Sequence, residues 1–300
     1  MLLIKGMIKV AVSVIIIGAI VCGIGFFVGD FSFADIRKSF FRDDDFTLVE
    51  KDFESDADKI NINADNNIIE FRVSDDAGFH TSYYVANYYK VTLDYSGDTV
   101  SINAKNTQKW NFLRYGYVSA KVRTMIIEVP AAFEGEITVD TANGNVSSNE
   151  IGRLTKLNIN TTNGDIGVSG LISDGGILLD TTNGEIELRN ISAASVSAET
   201  TNGEIVMNNV LAPEISADTN NGRIELIGIT SDSVEAETTN GLIKISIYGD
   251  KDDYKIDVGT TNGDITVDGL KILNQVINPG KAEKISAETT NGKIEINFLD

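Results

Sequence analysis

Eight times between residues 141 and 292 the chain carries Thr-Thr-Asn-Gly or a one-letter variant of it. The Asn-Gly pairs are Asn143-Gly144, Asn163-Gly164, Asn183-Gly184, Asn202-Gly203, Asn221-Gly222, Asn240-Gly241, Asn262-Gly263 and Asn291-Gly292. Successive asparagines are 20, 20, 19, 19, 19, 22 and 29 residues apart. Self-similarity at a period of about 20 residues marks an architecture of stacked repeats. In such a fold each sequence position becomes a column along a surface, so function is sought in columns.

The flanks of the tetrapeptide repeat with it. Around Asn202, Val196, Ala198 and Thr200 alternate with Ser197, Glu199 and Thr201, and beyond Gly203 the residues Ile205 and Met207 keep the alternation. The same register recurs in Ile215, Ala217, Thr219, Ile224 and Leu226, and in Ile285, Ala287, Thr289, Ile294 and Ile296. Period-two alternation of this length predicts half-buried strands. Two all-β architectures fit. In a stack of hairpins, Asn-Gly forms a type I′ turn with positive φ, and Thr200 pairs with Ile205. In a single-stranded parallel β-solenoid of about 20 residues per coil, Asn-Gly sits at a corner and identical residues stack at about 4.8 Å, where Asn and Thr form hydrogen-bonded ladders. Recurrence of the tetrapeptide letter for letter favours the ladders.

From Val10 to Gly29 there is no charged residue, and about 20 apolar residues suffice to cross a bilayer as a helix. The expected organisation is a short tail over 1–9, an uncleaved transmembrane helix over 10–29 and a juxtamembrane linker over 30–45. An irregular N-terminal β segment follows over 46–135, and the regular repeats occupy 136–300. This arrangement predicts a single-pass protein of a bacterial cytoplasmic membrane with its β domain outside the cytoplasm. Within the irregular segment, Ile60, Ile62, Ala64, Asn66, Asn67, Ile69 and Phe71 form a degenerate coil. Tyrosines cluster between Tyr83 and Tyr117, with Trp110 and Phe112 among them, and such residues read first as a layer covering the end of the stack. The last coil finishes at Ile296 with no capping segment after it, so an uncovered sheet edge, open to a partner chain, is expected there.

The net charge is −19, and residues 131–300 carry 11 basic against 27 acidic residues. That balance excludes nucleic acid as a partner and leaves cations, cationic peptides and basic protein patches. The position before the first Thr of each repeat supplies the candidate site, a column of Asp140, Asp180, Glu199, Asp218, Glu237 and Glu288, interrupted by Asn160 and Gly259. Stacked at about 4.8 Å, neighbouring carboxylates repel by about 0.9 kcal/mol in water before screening. The column is then either a solvated face or a site for a cationic ligand. A second column of Asp165, Glu185, Glu204 and Asp264 is broken by Arg223, Leu242 and Lys293. One histidine, His80, and one cysteine, Cys22, give a transition-metal site or a histidine-based triad little to work with. No catalytic residue, metal or cofactor is expected. A polysaccharide-processing enzyme is the lesser alternative, since solenoid enzymes build a cleft from long loops and the returns here are short except over 247–255 and 270–284.

With Glu128-Val129-Pro130 just before them, the Thr-Thr-Asn-Gly-x-Ile rungs over residues 58–300 resemble the bacterial "putative adhesin" domain family of unknown function. That resemblance implies a toastrack-like β-solenoid, often on a membrane anchor and related to domains of envelope-stress proteins, with no catalytic residues to carry over. The functional expectation is an adhesin-like binding or scaffold module of the cell envelope, with a protein, cationic peptide or wall polymer as partner. An envelope-stress component that captures cationic peptides on the acidic column is the alternative.

Overall fold

A computed structural model describes residues 46–53, 57–107 and 119–300. The chain divides into two units, and the larger, Thr47–Lys109 with Ala120–Asp300, contains every strand discussed below. The run 10–29, the linker 30–45 and the aromatic residues 110–117 lie outside the described residues. Among the described residues no helix is long and apolar enough to cross a membrane.

Each coil has a leading strand before its Asn-Gly and a trailing strand after it. Leading strands pair with leading strands and trailing with trailing, in parallel and in register, as Val196↔Ile215 and Ile205↔Ile224 illustrate. The fold is therefore the parallel solenoid. Thr200 and Ile205 belong to different ladders and do not face each other as hairpin partners. Inward residues form apolar columns in which Ile137, Leu157, Ile215, Val234, Ile285 and Ile256 are at most 2% exposed. Alternation works here because a parallel strand must present one whole face to the core, and a one-residue slip would expose it.

Three letters of the tetrapeptide are explained by the stack. From the second coil onward its first threonine donates to a glycine carbonyl of the neighbouring coil: Thr200 Oγ1 lies 3.1 Å from Gly184 O, and Thr181 Oγ1 lies 3.0 Å from Gly164 O. The asparagines form one amide ladder. Asn143 donates to Asn66 over 2.8 Å, Asn163 to Asn143 over 2.7 Å, and the chain of amides continues through Asn183, Asn202, Asn221 and Asn240. None of these eight glycines has a positive φ. They are required because a Cβ on Gly203 would lie 1.8 Å from Gly184 O, and one on Gly184 would lie 1.9 Å from Gly164 O. Close approach of backbones, not conformational freedom, selects glycine at this corner.

A second corner was not anticipated from the sequence. Seven residues beyond the asparagine, Glu150, Asn190 and Asn209 have φ of 53°, 54° and 56°, and Gly170 and Gly228 have φ of 63° and 65°. Each kinks its trailing strand in the left-handed region, where Asn and Gly are least strained. The recurrence of Asn or Gly at this fixed offset was the available signal.

Spatial order departs from chain order at both ends. At one end the strands Thr99–Asn106 and Thr124–Val129 stack outside the degenerate coil of Asn66. The antiparallel strands Tyr89–Ser96 and Phe79–Val85 cover them, and Thr47–Phe53 pairs onto the latter. Tyr83 and Tyr89 are buried there, and Phe79 stacks on Phe53 at 4.9 Å and meets Phe133 edge-on at 5.2 Å. At the other end Glu283–Asn291 lies between Ser233–Asn240 and Tyr254–Asn262, and Ile294–Leu299 lies between Ile243–Tyr248 and Ile265–Val267. The coil of Asn291 is thus interior, and the coil of Asn262 closes the stack.

That arrangement corrects the expected open edge. The segment between Val267 and Glu283 folds back as two short strands: Leu270–Ile272 pairs antiparallel with Ile265–Val267, and Gln275–Ile277 with Ile256–Val258. Between them the side-chain amide of Asn274 takes the place of a strand, accepting from Thr260 N at 3.1 Å and donating to Thr260 O at 2.9 Å. Two short strands thus blunt the terminal edge.

Candidate functional site

The leading strands carry the acidic positions outward in one row. Asn160 lies between Asp140 and Asp180; Asp180 then adjoins Glu199, Glu199 adjoins Asp218, and Asp218 adjoins Glu237. Because the coil of Asn291 is interior, Glu237 is followed by Glu288, and Gly259 comes last. In chain order Gly259 seems to break the row. In space the carboxylates of Asp180, Glu199, Asp218, Glu237 and Glu288 are consecutive, and Asp140 stands apart behind Asn160.

The end of this row is a groove of about 430 Å³, lined by Asp218, Glu237, Glu288, Thr239 and Thr290 and by Asn274 of the closing segment. Gly259 offers no side chain, which leaves a notch beside Glu288, and Asn274 rises at its far side. Thr239 and Thr290 are exposed corner hydroxyls, so the groove presents carboxylates and alcohols and little apolar surface.

Its carboxylates repel one another with little relief. Partial burial raises the Glu237 carboxyl above its ordinary range, and the charges of Glu235, Glu288 and Asp218 add to the shift, with Lys284 opposing it. Asp218 is raised in the same way by burial and by Glu235. Ion pairs of the stack fall elsewhere: Arg223 holds Glu204 at 2.8 Å, Lys244 holds Glu225 at 3.0 Å and Lys271 holds Asp264 at 2.6 Å. The second acidic column is therefore partly neutralised, and Lys271 lowers the Asp264 carboxyl, chiefly by its hydrogen bond. The first column has no lysine or arginine partner within 4.0 Å among the described residues. A row of like charges without counter-charge is a place where an added cation gains energy.

His80 belongs to the opposite end of the stack, between Asp52 and Asp76, each 2.8 Å from a ring nitrogen. Among the described residues no group of three or more His, Cys, Asp or Glu is arranged to hold a metal ion. The loop Asp250–Asp253 is a single 3-10 turn capped by the Asp250 side chain on Asp252 N. The row of carboxylates offers an added cation several acceptors in line.

The Toastrack DUF4097 family matches residues 57–297. Among solved structures, a putative lipid binding protein from Parabacteroides distasonis is 17% identical with a TM-score of 0.51, over 87% of this chain and 99% of its own. A putative adhesin from Bacteroides fragilis is 14% identical with a TM-score of 0.45, covering 84% and 97%. A putative cell adhesion protein from Clostridium sporogenes is 13% identical with a TM-score of 0.31, covering 85% and 100%. No curated protein sequence matches.

Proposed function

The chain belongs to the Toastrack DUF4097 family, and from that premise we propose that it is a non-enzymatic, adhesin-like binding or scaffold module held at a bacterial membrane. The anchor is the uncharged run 10–29, with the solenoid outside the cytoplasm. The ligand is cationic. One observation carries this last point: five consecutive carboxylates, Asp180 to Glu288, run without a cationic partner into the groove walled by Asn274. A peptide or protein segment bearing lysine and arginine fits an extended row better than a single small ion does, because its charges can be spaced along several coils. The same observation favours capture of cationic peptides at the envelope as a second reading. The groove lies toward the end of the stack remote from Thr47–Phe53, and the coil of Asn240 at its middle is nine strand intervals or about 43 Å away at about 4.8 Å per interval.

The test uses the full chain in zwitterionic nanodiscs, titrated with an oligolysine peptide at low and physiological salt. The comparison protein carries Asn or Gln at positions 140, 180, 199, 218, 237 and 288. Saturable binding that survives physiological salt and is lost in the comparison protein supports the site. Binding that both proteins share, or that neither shows, removes it. Labelling of a Thr182→Cys variant, with Cys22→Ser, by a membrane-impermeant maleimide on intact cells tests the orientation. Protection from the reagent counts against an external solenoid.

A further inference from the structure

The coil of Asn291 fills a slot. Its leading strand makes seven register pairs with Ser233–Asn240 and eight with Tyr254–Asn262, and its trailing strand lies between Ile243–Tyr248 and Ile265–Val267. Removing it would leave two parallel sheet edges facing each other across one vacant coil. The specificity of the slot is that of the repeat itself. Asn291 donates to Asn240 and accepts from Asn262, both at 2.8 Å; Thr289 donates to Gly241 O at 3.2 Å, and Thr260 donates to Gly292 O at 3.0 Å. A Cβ on Gly292 would meet Gly241 O at 1.7 Å. The slot therefore takes a strand–Thr–Thr–Asn–Gly–strand coil and little else.

We propose that two copies of the chain pair by reciprocal exchange of Glu283–Leu299, each placing its coil of Asn291 between the coils of Asn240 and Asn262 of the other. Three features of the structure carry this. The exchanged coil makes the same contacts whichever copy supplies it, so exchange sacrifices none of the ladder. Coils between Glu136 and Tyr248 follow one another in chain and in space, joined by short returns such as Ala212-Pro213, and none can leave without its neighbours. The coil of Asn291 is instead reached from Ile277 through one link, residues 278–282, which must turn back across the closing coil. That link opens with Asn278 at φ 50°, a left-handed residue whose side chain is tied to Lys251 O at 3.0 Å and Tyr254 O at 3.2 Å, and continues with Pro279. A short link is the hinge at which such an element is exchanged, and opening it gives up the two hydrogen bonds of the Asn278 side chain. The occupant is a second copy since the recognised element is a coil of this chain.

Two single-cysteine forms of the full chain, both with Cys22→Ser, decide the matter. One carries Glu237→Cys and the other Glu288→Cys, positions that are register neighbours only across the slot. The two are mixed, partly unfolded in urea, refolded together and oxidised. Exchange brings the thiols together at an effective concentration of about 1 mM, so at about 10 μM protein the mixed disulfide should exceed collisional cross-linking by about 100-fold. Asp140→Cys paired with Glu288→Cys measures the collisional background. A second measurement deletes Pro279 and Gly280, which leaves the link too short to turn back. Light scattering should then show a folded dimer. Equal yields from the two cysteine mixtures, or a folded monomer of the deletion variant, overturn the proposal.

Discussion

Substituting Gly203→Ala isolates the reason for the glycine column. The new methyl carbon would stand 1.8 Å from Gly184 O and 2.6 Å from its carbon, so the two coils must part by about 1 Å or more to reach ordinary contact. Three of the hydrogen bonds that cross that junction are Thr200 Oγ1 to Gly184 O at 3.1 Å, Asn202 N to Thr182 O at 2.9 Å and Asn202 Nδ2 to Asn183 Oδ1 at 2.8 Å. Each contributes about 0.5–1.5 kcal/mol net, so weakening all three costs about 1.5–4.5 kcal/mol. The displaced core beneath adds about 1–3 kcal/mol of packing strain. A total of about 2.5–7.5 kcal/mol is expected. Gly167→Ala in a trailing strand is the control, with no heavy atom within 4 Å of its Cβ and no left-handed φ; it should change stability by no more than about 0.5–1 kcal/mol. Urea unfolding followed by circular dichroism compares them. Hydrogen exchange of the amides around residues 202–205 reports the local effect, since stacked repeats need not unfold in two states. If Gly203→Ala is neutral or stabilising, as conformational preference alone makes it where φ is not positive, the close-approach explanation fails.

Three further outcomes follow from the same structure. Asn202→Asp removes an amide donor and sets a carboxylate against Asn183 Oδ1; a loss of about 1–3 kcal/mol at neutral pH, recovered in part when acid protonates the new group, is expected from thermal melts, and an unchanged melting temperature would sink the ladder's energetic role. His80 is held charged, its pKa raised to about 9 from 6.5 by the hydrogen bond to Asp76 first and Asp52 second. Its folded pKa exceeds the unfolded one, so its small, solvent-screened contribution is full below 6.5 and fades as pH rises through about 9. An NMR titration midpoint near 6.5, or one indifferent to Asp52→Asn, would refute the double pairing. Glu237 has the opposite sense for an acid: its folded pKa lies above 4.5, so the folded state gains stability as pH falls through that raised value. Glu237→Gln should accordingly raise the melting temperature at pH 7 in low salt, with the gain shrinking as salt is added; a lower melting temperature would mean the carboxylate is already satisfied.

The columns were legible because they are local. Alternation around each Asn-Gly determines which side chains face inward, and a parallel stack then aligns Ile with Ile and Asn with Asn without further information. For the same reason the order of the last two coils was not legible. Val234, Ala236 and Thr238 offer an equivalent partner to Ile256, Val258 and Thr260 or to Ile285, Ala287 and Thr289, so no single strand declares its neighbour. The hint lay in the 29-residue spacing before Asn291, long enough for a chain segment to cap one coil and return beneath it. Asn274 escaped notice because its role depends on which edge it meets. The alternation shows which acidic residues share one outward row, but its continuity from Asp180 to Glu288 and the groove at its end follow from that reordering. The six carboxylates form a single row only as far as the stack makes them so, with Asp140 set apart by Asn160.

Interleaving also separates the molecule's order in space from its order in time. The coil of Asn262 is synthesised before the one that comes to lie beneath it, so during translation the edge at Ser233–Asn240 faces a neighbour that is already available and will finally be one place removed. At about 5–20 residues per second, the roughly 30 residues from Val267 to Leu299 take about 2–6 s to appear. For that interval the growing stack must either leave its edge bare or hold the coil of Asn262 in a register it later surrenders. A nascent-chain ladder that first joins Asn240 to Asn262, and only afterwards opens to admit Asn291, would make the last rung of this solenoid a correction rather than an addition.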